Sequence, residues 1–202
     1  MSRTDWFVVV FLVVAIAERL HERRFSQRAV RGERRMEWSY AALHSFHALI
    51  FAATAVEYFL RRRDLTWAVT GVGLALFVVA MIVRVTAIRA LGRFWSLHLE
   101  IRQEHKLITE GVYRYLRHPA YSAIMLEVIS VPLVANAYVA LALAVCAYVP
   151  LLLLRWRREE IEMIDKFGDE YVRYRRQVPA FIPYRRPRSG ERSDATIVSQ
   201  EK

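Results

Sequence analysis

The chain has 202 residues, the length of one domain, and 55% of them are hydrophobic while only 7 are Gly and 6 are Pro, which excludes a disordered or collagen-like chain. A single cysteine, Cys146, excludes a disulfide framework and a zinc site built from cysteines. The formal net charge of +10 permits binding to nucleic acid or anionic lipid, but the apolar residues form long blocks, which favours a membrane protein.

Three apolar blocks in the first half of the chain predict membrane-spanning helices, because a bilayer span needs about 20 mostly apolar residues. The first block, Trp6 to Ala17, is short and reaches that length only if Glu18 and Arg19 extend toward the lipid headgroups. The second block runs from Tyr40 to Val56, and the third, from Leu65 to Val83, contains no charged residue. We therefore expect three spans before residue 84.

The first block also has an alternative interpretation. An apolar run that follows Arg3 and ends in Ala15-Ile16-Ala17 is similar to a secretory signal sequence. Asp5 disfavours this alternative, because the region before the apolar run of a signal sequence is positively charged.

The apolar block from Ala120 to Leu154 is too long for one span. It has 35 residues with a single charge, Glu127, and a straight helix of that length would measure about 52 Å, against a hydrocarbon core of about 30 Å. Pro132 and Asn136 near its middle predict a hairpin of two helices, at about 120–134 and 137–154. The predicted fold is therefore all-α, a polytopic bundle of about five transmembrane helices.

Arginine is concentrated in three segments that alternate with the predicted spans. There are seven Arg in residues 18–37, six in residues 84–119 and ten from residue 155 onward. Because Lys and Arg are enriched on the cytoplasmic side, we expect the N-terminus outside and the C-terminus in the cytoplasm. Arg61 to Arg63 would then lie on the side that this rule disfavours.

The chain divides into three predicted regions. Residues 1–88 contain the first spans and a basic loop, residues 89–184 contain the hairpin and two polar stretches, and residues 185–202 are predicted to be a disordered tail. In the second region, apolar residues recur at steps of three and four between Ile161 and Tyr174, which predicts an amphipathic surface helix. Gly168 within this stretch predicts a kink.

The segment from Gly111 to Tyr121 has the features of a helix N-terminus. Gly111 permits a turn, and Pro119 suits the first helical position, since its missing N–H would be unpaired there. Arg117 and His118 would then lie beside free N–H groups and positive potential, which suit an anion. The same residues are compatible with a contact of Arg117 to lipid phosphate and a capping role of His118.

Other polar residues lie at the end of the predicted spans or within them. Arg155 and Glu159 share a helix face where the last span leaves the bilayer, either as a functional pair or as an ordinary ion pair. Glu127 is a functional candidate because a carboxylate inside a membrane is costly. His44 and His47 share a helix face, which favours interhelical hydrogen bonding over metal binding, and no metal site is predicted.

Several motifs in one order resemble the isoprenylcysteine carboxyl methyltransferase family of integral membrane enzymes, a group related to phospholipid methyltransferases. The matching residues are Leu107-Ile108-Thr109-Glu110-Gly111-Val112-Tyr113, Arg117-His118-Pro119-Ala120-Tyr121, Arg155, Glu159-Glu160, Phe167-Gly168, Tyr171, Tyr174, Val178-Pro179 and Phe181-Ile182-Pro183. The resemblance covers about residues 90–184, nearly half of the chain.

The resemblance implies S-adenosyl-L-methionine as the cofactor, bound on the cytoplasmic side, and residues 89–184 as the methyltransferase core. By family analogy, the residues of its pocket are His105, Lys106, Leu107, Ile108, Tyr113, His118, Pro119, Ala120, Tyr121 and Glu159. Arg155 is implied as the catalytic residue that faces the acceptor and orients its carboxylate. These types of residue suit the roles, because a helix N-terminus suits an anionic group and a carboxylate suits a cation or ribose hydroxyls.

The resemblance implies a lipophilic acceptor but leaves its chemistry open. The first expectation is the carboxylate of a prenylated or long-chain lipid-like molecule, whose methylation needs alignment and exclusion of water but little acid–base help. The alternative is a phenol or enol of a long-chain alkylpyrone or alkylresorcinol polyketide, for which His118, His105 or His98 would be the candidate base. The expected partners are this acceptor and membrane lipids, not nucleic acid.

A hypothesis of another class is a non-catalytic membrane scaffold whose basic loops dock anionic lipid. The spacing of His118, Arg155 and Glu159 disfavours a scaffold, because lipid docking requires no such arrangement. The sequence therefore favours an integral membrane methyltransferase with its active site facing the cytoplasm.

Overall fold

The computed structural model describes residues 2–26, 33–35, 37–61, 64–92, 99–101 and 107–184. Its helices are α1 (Arg3–Ser26), α2 (Glu37–Arg61), α3 (Trp67–Leu91), a 3₁₀ helix (Gly111–Arg114), α4 (Pro119–Val134), α5 (Tyr138–Leu143), a π-helical turn (Ala144–Tyr148, hereafter the π turn), α6 (Val149–Phe167) and α7 (Asp169–Gln177). The described strands are β1 (Glu33–Arg35) and β2 (Leu99–Ile101), which pair antiparallel with Arg34 opposite Glu100. The regular structure is thus almost entirely helical, as predicted, and the predicted disordered tail, 185–202, lies outside the described residues.

Three of the described helices are long and apolar enough to cross a membrane. They are Ala41–Arg61, Trp67–Leu91 and Tyr138–Phe167, the last being one continuous helix made of α5, the π turn and α6. The chain is therefore an integral membrane protein, in agreement with the sequence. Helix α1, which is charged near its C-terminal end, and α4, which has 16 residues, are not among these three, so the count of five spans stays a prediction.

The predicted hairpin is confirmed, with α4 ending at Val134 and the next helix beginning at Tyr138. Asn136 makes the turn with a positive φ of 53°, a conformation that Asn tolerates better than most residues. Its side chain also closes the turn against α3, since Nδ2 donates to Thr70 Oγ1 at 3.0 Å and Oδ1 accepts from the Thr66 N–H at 2.7 Å. The hairpin is therefore anchored at its tip.

Helix α3 continues two turns beyond Val83, where the apolar pattern predicted its end. The continuation begins with Arg84, which is 1% exposed and forms a 2.6 Å hydrogen bond from Nη1 to Glu18 Oε2 of α1. The helix is longer than the apolar pattern predicted, because this arginine is paired with residues of other helices inside the protein. The helix ends instead at Gly92, whose φ is 50°.

Helices α3 and α4 pack closely at Gly73. A Cβ atom at this position would lie 2.7 Å from the Val134 backbone N and 2.9 Å from its Cγ2 atom. Thr70, one turn earlier on α3, donates its hydroxyl to the Val134 carbonyl at 3.1 Å. One apolar layer joins α1, α2, α3 and α4 around Phe11 and Phe77, and a second joins α2, α4 and α6 around Tyr121 and Leu152.

Helix α5 begins against a carboxylate from another helix. Glu57 of α2 accepts hydrogen bonds from the backbone N–H groups of Val139 at 3.1 Å and Ala140 at 2.9 Å. These are N–H groups of a first helical turn, which have no partner within the helix. Glu57 therefore caps α5 from outside and fixes where the last membrane helix starts.

Candidate active site

The N-terminus of α4 is covered by the segment that follows α7. Pro119 occupies the first turn as predicted. The backbone N–H groups of Arg117 and His118 donate to the carbonyls of Pro179 and Ala180 at 2.9 and 3.0 Å, and Ser122 Oγ donates to the carbonyl of Phe181 at 2.9 Å. The two N–H groups that precede the helix are thus already bonded, which leaves those of the first turn as the candidate donors to an anion.

His118 is held by a carboxylate that the sequence did not single out. Its Nε2 atom donates to Glu160 Oε1 at 2.5 Å, and the hydroxyl of Tyr171 donates to the same oxygen at 2.6 Å. All three residues are buried, with exposed fractions of 5%, 5% and 1%. Burial by itself lowers the pKa of His118, but hydrogen bonding and the negative charges of Glu159 and Glu160 outweigh it and raise the pKa above the ordinary value. The imidazole is therefore stabilised as a cation.

Tyr121, Arg155 and Glu159 form a second group beside this one. The Tyr121 hydroxyl donates to Glu159 Oε2 at 2.6 Å and lies 3.3 Å from Arg155 Nε, which donates to it. Glu159 Oε1 lies 3.7 Å from His118 Nδ1. The Glu159 side chain keeps 25% of its surface exposed, in contrast with 6% for Glu160, so Glu159 is the carboxylate that a ligand can reach.

Arg117 has a structural role within this site. Its Nη1 atom donates to the Arg175 carbonyl at 3.0 Å, and Nη2 lies 3.6 Å from Glu160 Oε1. Only 7% of its side chain is exposed. The alternative in which Arg117 contacts lipid phosphate is therefore wrong, because the guanidinium is bound inside the protein.

Tyr113 lies in the 3₁₀ helix and is buried. Its carbonyl accepts a 2.6 Å hydrogen bond from the hydroxyl of Tyr174 on α7. Burial raises the pKa of the Tyr113 hydroxyl, and the negative charge of Glu159 adds to the rise, which shows that Tyr113 belongs to the same electrostatic environment.

A cavity of ≈ 510 Å³ adjoins the C-terminal end of α3. Its lining consists of Ala90, Leu107, Ile108, Thr109, Glu110 and Gly111. Two of the predicted pocket residues, Leu107 and Ile108, are among them. Its volume lies within the range of sites for small ligands, about 300–1,000 Å³. His98, His105 and Lys106, which the sequence also singled out, lie outside the described residues.

The sequence therefore indicated part of the site and missed another part. The structure brings the predicted residues His118, Tyr121, Arg155 and Glu159 together, from the start of α4 and one face of α6. The residues missed as site members are Glu160, Tyr171 and Tyr174, whereas Arg117, which the sequence placed beside a candidate anion site, is bound within the protein. Two features of the sequence could have indicated these residues: the Glu159-Glu160 doublet and the two tyrosines of the predicted amphipathic helix. Only the tertiary contacts show that Glu160 is bound within the protein while Glu159 is partly exposed.

The polar residues of the predicted spans form a separate cluster. Glu127 is fully buried and accepts hydrogen bonds from Arg19 of α1 and Arg84 of α3. His47 of α2 lies 3.7 Å from Glu127 Oε1 and hydrogen-bonds through Nδ1 to the Tyr148 hydroxyl at 3.2 Å. The prediction of interhelical hydrogen bonding is thereby confirmed for His47.

Comparisons with known proteins agree with this arrangement. A sequence model of the isoprenylcysteine carboxyl methyltransferase family matches residues 73–165. Protein-S-isoprenylcysteine O-methyltransferase B of Arabidopsis thaliana is 30% identical over 164 residues, which cover 77% of this chain and 83% of the relative. The uncharacterized protein YpbQ of Bacillus subtilis is 27% identical over 171 residues, which cover 82% of this chain and 97% of the relative.

The fold is also similar to a solved structure, that of the eukaryotic intramembrane Ras methyltransferase of the same family. The two superpose with a TM-score of 0.57 at 23% sequence identity, over 68% of this chain and 52% of the other. This chain thus spans about half the length of that protein, and the similarity concerns the fold. Family model, sequence relatives and fold agree, and the chain belongs to the isoprenylcysteine carboxyl methyltransferase family of integral membrane methyltransferases.

Proposed function

We propose that this protein uses S-adenosyl-L-methionine to methylate the carboxylate of a lipid-like acceptor at the cytoplasmic face of the membrane. The observation that carries the proposal is the contact of Tyr121 on α4 with both Glu159 and Arg155 on α6. A partly exposed carboxylate and a guanidinium are thereby held side by side. The carboxylate of Glu159 suits a cationic or hydroxylated ligand, and the guanidinium of Arg155 suits an anionic acceptor.

The residues around Glu159 fit the proposed cofactor. Glu159 would hold its amine or its ribose hydroxyls, and the N–H groups of Ala120 and Tyr121 in the first turn of α4 would meet its carboxylate. Leu107 and Ile108 line a cavity of ≈ 510 Å³ that can receive an apolar or aromatic part. When bound, S-adenosyl-L-methionine supplies an electrophilic methyl group on a sulfonium.

Arg155 would orient the acceptor carboxylate. Its guanidinium cannot lose its proton in a protein, so it acts by charge and geometry and not as a base. Its hydrogen bond to Tyr121 places it next to Glu159, so an acceptor bound by Arg155 would face the donor pocket. Such an arrangement contributes alignment, which is the main requirement when the nucleophile is already an anion.

His118 favours a carboxylate over a phenol or enol as the acceptor. Its Nε2 atom donates to Glu160, and its raised pKa favours the protonated form, so His118 is poorly suited to act as a base. A phenol or enol would need a base in the site. A long-chain polyketide is therefore the second candidate acceptor, and His98 or His105 would have to supply the base.

The membrane arrangement that we propose has five spans. Helix α1 has 24 residues and would extend about 36 Å at 1.5 Å per residue, enough for a hydrocarbon core of about 30 Å. Its charged residues Arg19 and Glu22 are paired with each other, and Arg19 also bonds Glu127, which lowers the cost of placing them at this depth. The arginine-rich end of α6 then faces the cytoplasm with the site, and the acceptor's tail enters between helices.

Binding of S-adenosyl-L-methionine to the detergent-purified chain, measured by calorimetry, tests the cofactor. We expect saturable binding that Glu159→Gln weakens at least ten-fold and that Asp165→Asn, an exposed carboxylate on the same helix, leaves unchanged. Absence of binding by the folded wild-type protein would contradict the proposal and favour a non-catalytic scaffold.

Transfer of labelled methyl groups tests the acceptor. We expect Arg155→Ala to abolish transfer to a prenylated cysteine carboxylate while it retains donor binding, and Arg158→Ala, an exposed neighbour, to remain active. Transfer to a long-chain phenol but not to a carboxylate would overturn the assignment of the acceptor in favour of the polyketide alternative.

A further inference from the structure

The last membrane helix is interrupted by the π turn at Ala144–Tyr148. Pro150 lies just after it, and a proline inside an α-helix cannot donate to the carbonyl four residues earlier and clashes with it. That carbonyl belongs to Cys146, in the middle of the π turn. The backbone is therefore already perturbed at this point without the proline deciding between a kink and a π turn, and single π turns of this kind occur frequently at functional sites.

Tyr148, the last residue of the π turn, is buried against α2. It is 2% exposed, and its hydroxyl lies 3.2 Å from His47 Nδ1 on α2. Its ring stacks on Phe46 at a centroid distance of 6.0 Å and meets the His47 ring edge-on at 5.6 Å. The π turn is therefore tied to α2 by a polar contact within an apolar layer.

The opposite side of the His47 ring faces a charged cluster. Its Nε2 atom lies 3.7 Å from Glu127 Oε1, and the Glu127 carboxylate is bound by Arg19 and Arg84. These charges come from three other helices, α1, α3 and α4. A fully buried carboxylate with two guanidinium partners cannot shift without losing charged hydrogen bonds. The carboxylate is therefore a fixed neighbour of His47 but makes no hydrogen bond to its Nε2 atom, and the bond that orients the His47 ring is the one to Tyr148.

The π turn sets which way the following helix faces. Tyr148, Leu152, Arg155 and Glu159 follow each other at steps of four, three and four, so they share one face of the helix. A π turn accommodates about one more residue than an α turn, and one residue corresponds to about 100° of rotation. If the π turn relaxed to α geometry, Arg155 and Glu159 would rotate away from Tyr121.

We propose that His47 and Tyr148 are positioning residues for methyl transfer: their hydrogen bond holds the π turn, and thereby keeps Arg155 and Glu159 facing Tyr121. This inference rests on the proposed function of those two residues. Neither His47 nor Tyr148 is among the residues to which we assign donor or acceptor binding. They act through the orientation of α6, about two helical turns from Arg155.

The test compares Tyr148→Phe with Tyr138→Phe, an exposed tyrosine on the same helix. The first variant loses the hydrogen bond and keeps the ring. We expect about a ten-fold drop in kcat, the size expected for one lost buried hydrogen bond, together with a weaker Kd for S-adenosyl-L-methionine and a higher KM for the acceptor, because both Glu159 and Arg155 turn away from Tyr121. Tyr138→Phe should match the wild type.

Helix orientation can be read directly from spin labels. Exposed positions Val139 and Arg158 flank the π turn and are about 28 Å apart along the axis, within the range of pulsed electron paramagnetic resonance. With Cys146→Ser as background, we expect Tyr148→Phe to shift the distance between the labels by several ångströms. An unchanged distance together with unchanged kinetics would overturn the inference. The distance between the labels can be measured without a ligand. It therefore tests the role of the π turn even if the wild type binds no donor. Absence of donor binding would refute the proposed function but not the role of the π turn in orienting the helix.

Two substitutions of His47 keep the test decisive if Tyr148→Phe does not fold. His47→Asn places an amide near the position of Nδ1 and retains a partner for the Tyr148 hydroxyl, whereas His47→Leu removes it; both remove the group facing Glu127. We expect His47→Asn to keep the wild-type distance between the labels and the wild-type kcat. We expect His47→Leu to change that distance and to lower kcat. Equal behaviour of the two variants would contradict a positioning role.

Discussion

His118 and Glu160, 42 residues apart in the chain, are joined by a buried hydrogen bond of 2.5 Å that ties the start of α4 to α6. Tyr171 donates to the same carboxylate oxygen, so α7 is held at the same point. The site thus has two adjacent carboxylates with different tasks. Glu160 organises the protein, and Glu159 remains partly accessible.

Removing the Glu160 charge should destabilise the protein more than removing the Tyr171 hydroxyl. We expect Glu160→Gln to lower the free energy of unfolding by about 1.5–3 kcal/mol, since it weakens a charged hydrogen bond, and Tyr171→Phe by about 1 kcal/mol. Chemical unfolding in detergent followed by circular dichroism measures both. Tyr115→Phe, which changes an exposed tyrosine, is the control. Equal effects of Glu160→Gln and Tyr115→Phe would contradict the organising role.

The raised pKa of His118 makes stability depend on pH in a defined direction. The folded protein holds the proton more tightly than the unfolded chain, whose histidine titrates near 6.5. The extra stability is therefore fully present below that pH and is lost as the pH rises through the folded-state pKa. Unfolding free energies measured from about pH 6 to about pH 9 should fall more steeply in the wild type than in His118→Gln. Parallel curves would refute the assignment.

Close packing of α3 on α4 should make Gly73 intolerant of a methyl group. A Cβ atom there would meet the Val134 backbone at 2.7 Å, so we expect Gly73→Ala to cost about 1–3 kcal/mol. Gly71 on the same helix has nothing within 4 Å of its would-be Cβ atom, and Gly71→Ala is the matched control. Thermal unfolding in detergent distinguishes them. A stabilised Gly73→Ala variant would mean that the two helices can separate at no cost.

The buried carboxylate of Glu127 should be among the most sensitive positions in the chain. Glu127→Gln removes the charge that Arg19 and Arg84 share and leaves them only Glu22 and Glu18 as charged partners, so the expected loss of stability is about 1.5–3 kcal/mol. Glu110→Gln, an exposed carboxylate, should have little effect. The measurement is the yield of folded protein together with its thermal midpoint. A near-neutral Glu127→Gln would indicate that water or lipid reaches the cluster.

The membrane helices were largely predictable from composition, and the differences have specific causes. The hairpin was predicted from Pro132 and Asn136, because one helix could not contain the whole apolar block. The end of α3 was predicted two turns too early, because sequence alone cannot distinguish an arginine at the bilayer edge from one paired inside the protein. Arg84 is of the second kind, and its partners Glu18 and Glu127 are far away in the chain.

What the sequence by itself determined is local: where apolar blocks support helices, the helix start at Pro119, and the shared face of Arg155 and Glu159. These depend on helical periodicity and on residues close to each other in the chain. Tertiary structure alone decided that His118 pairs with Glu160, that Arg117 is buried, and that Tyr148 meets His47. Such contacts join residues that are distant in the chain, and their geometry depends on how the helices pack, which no local pattern encodes.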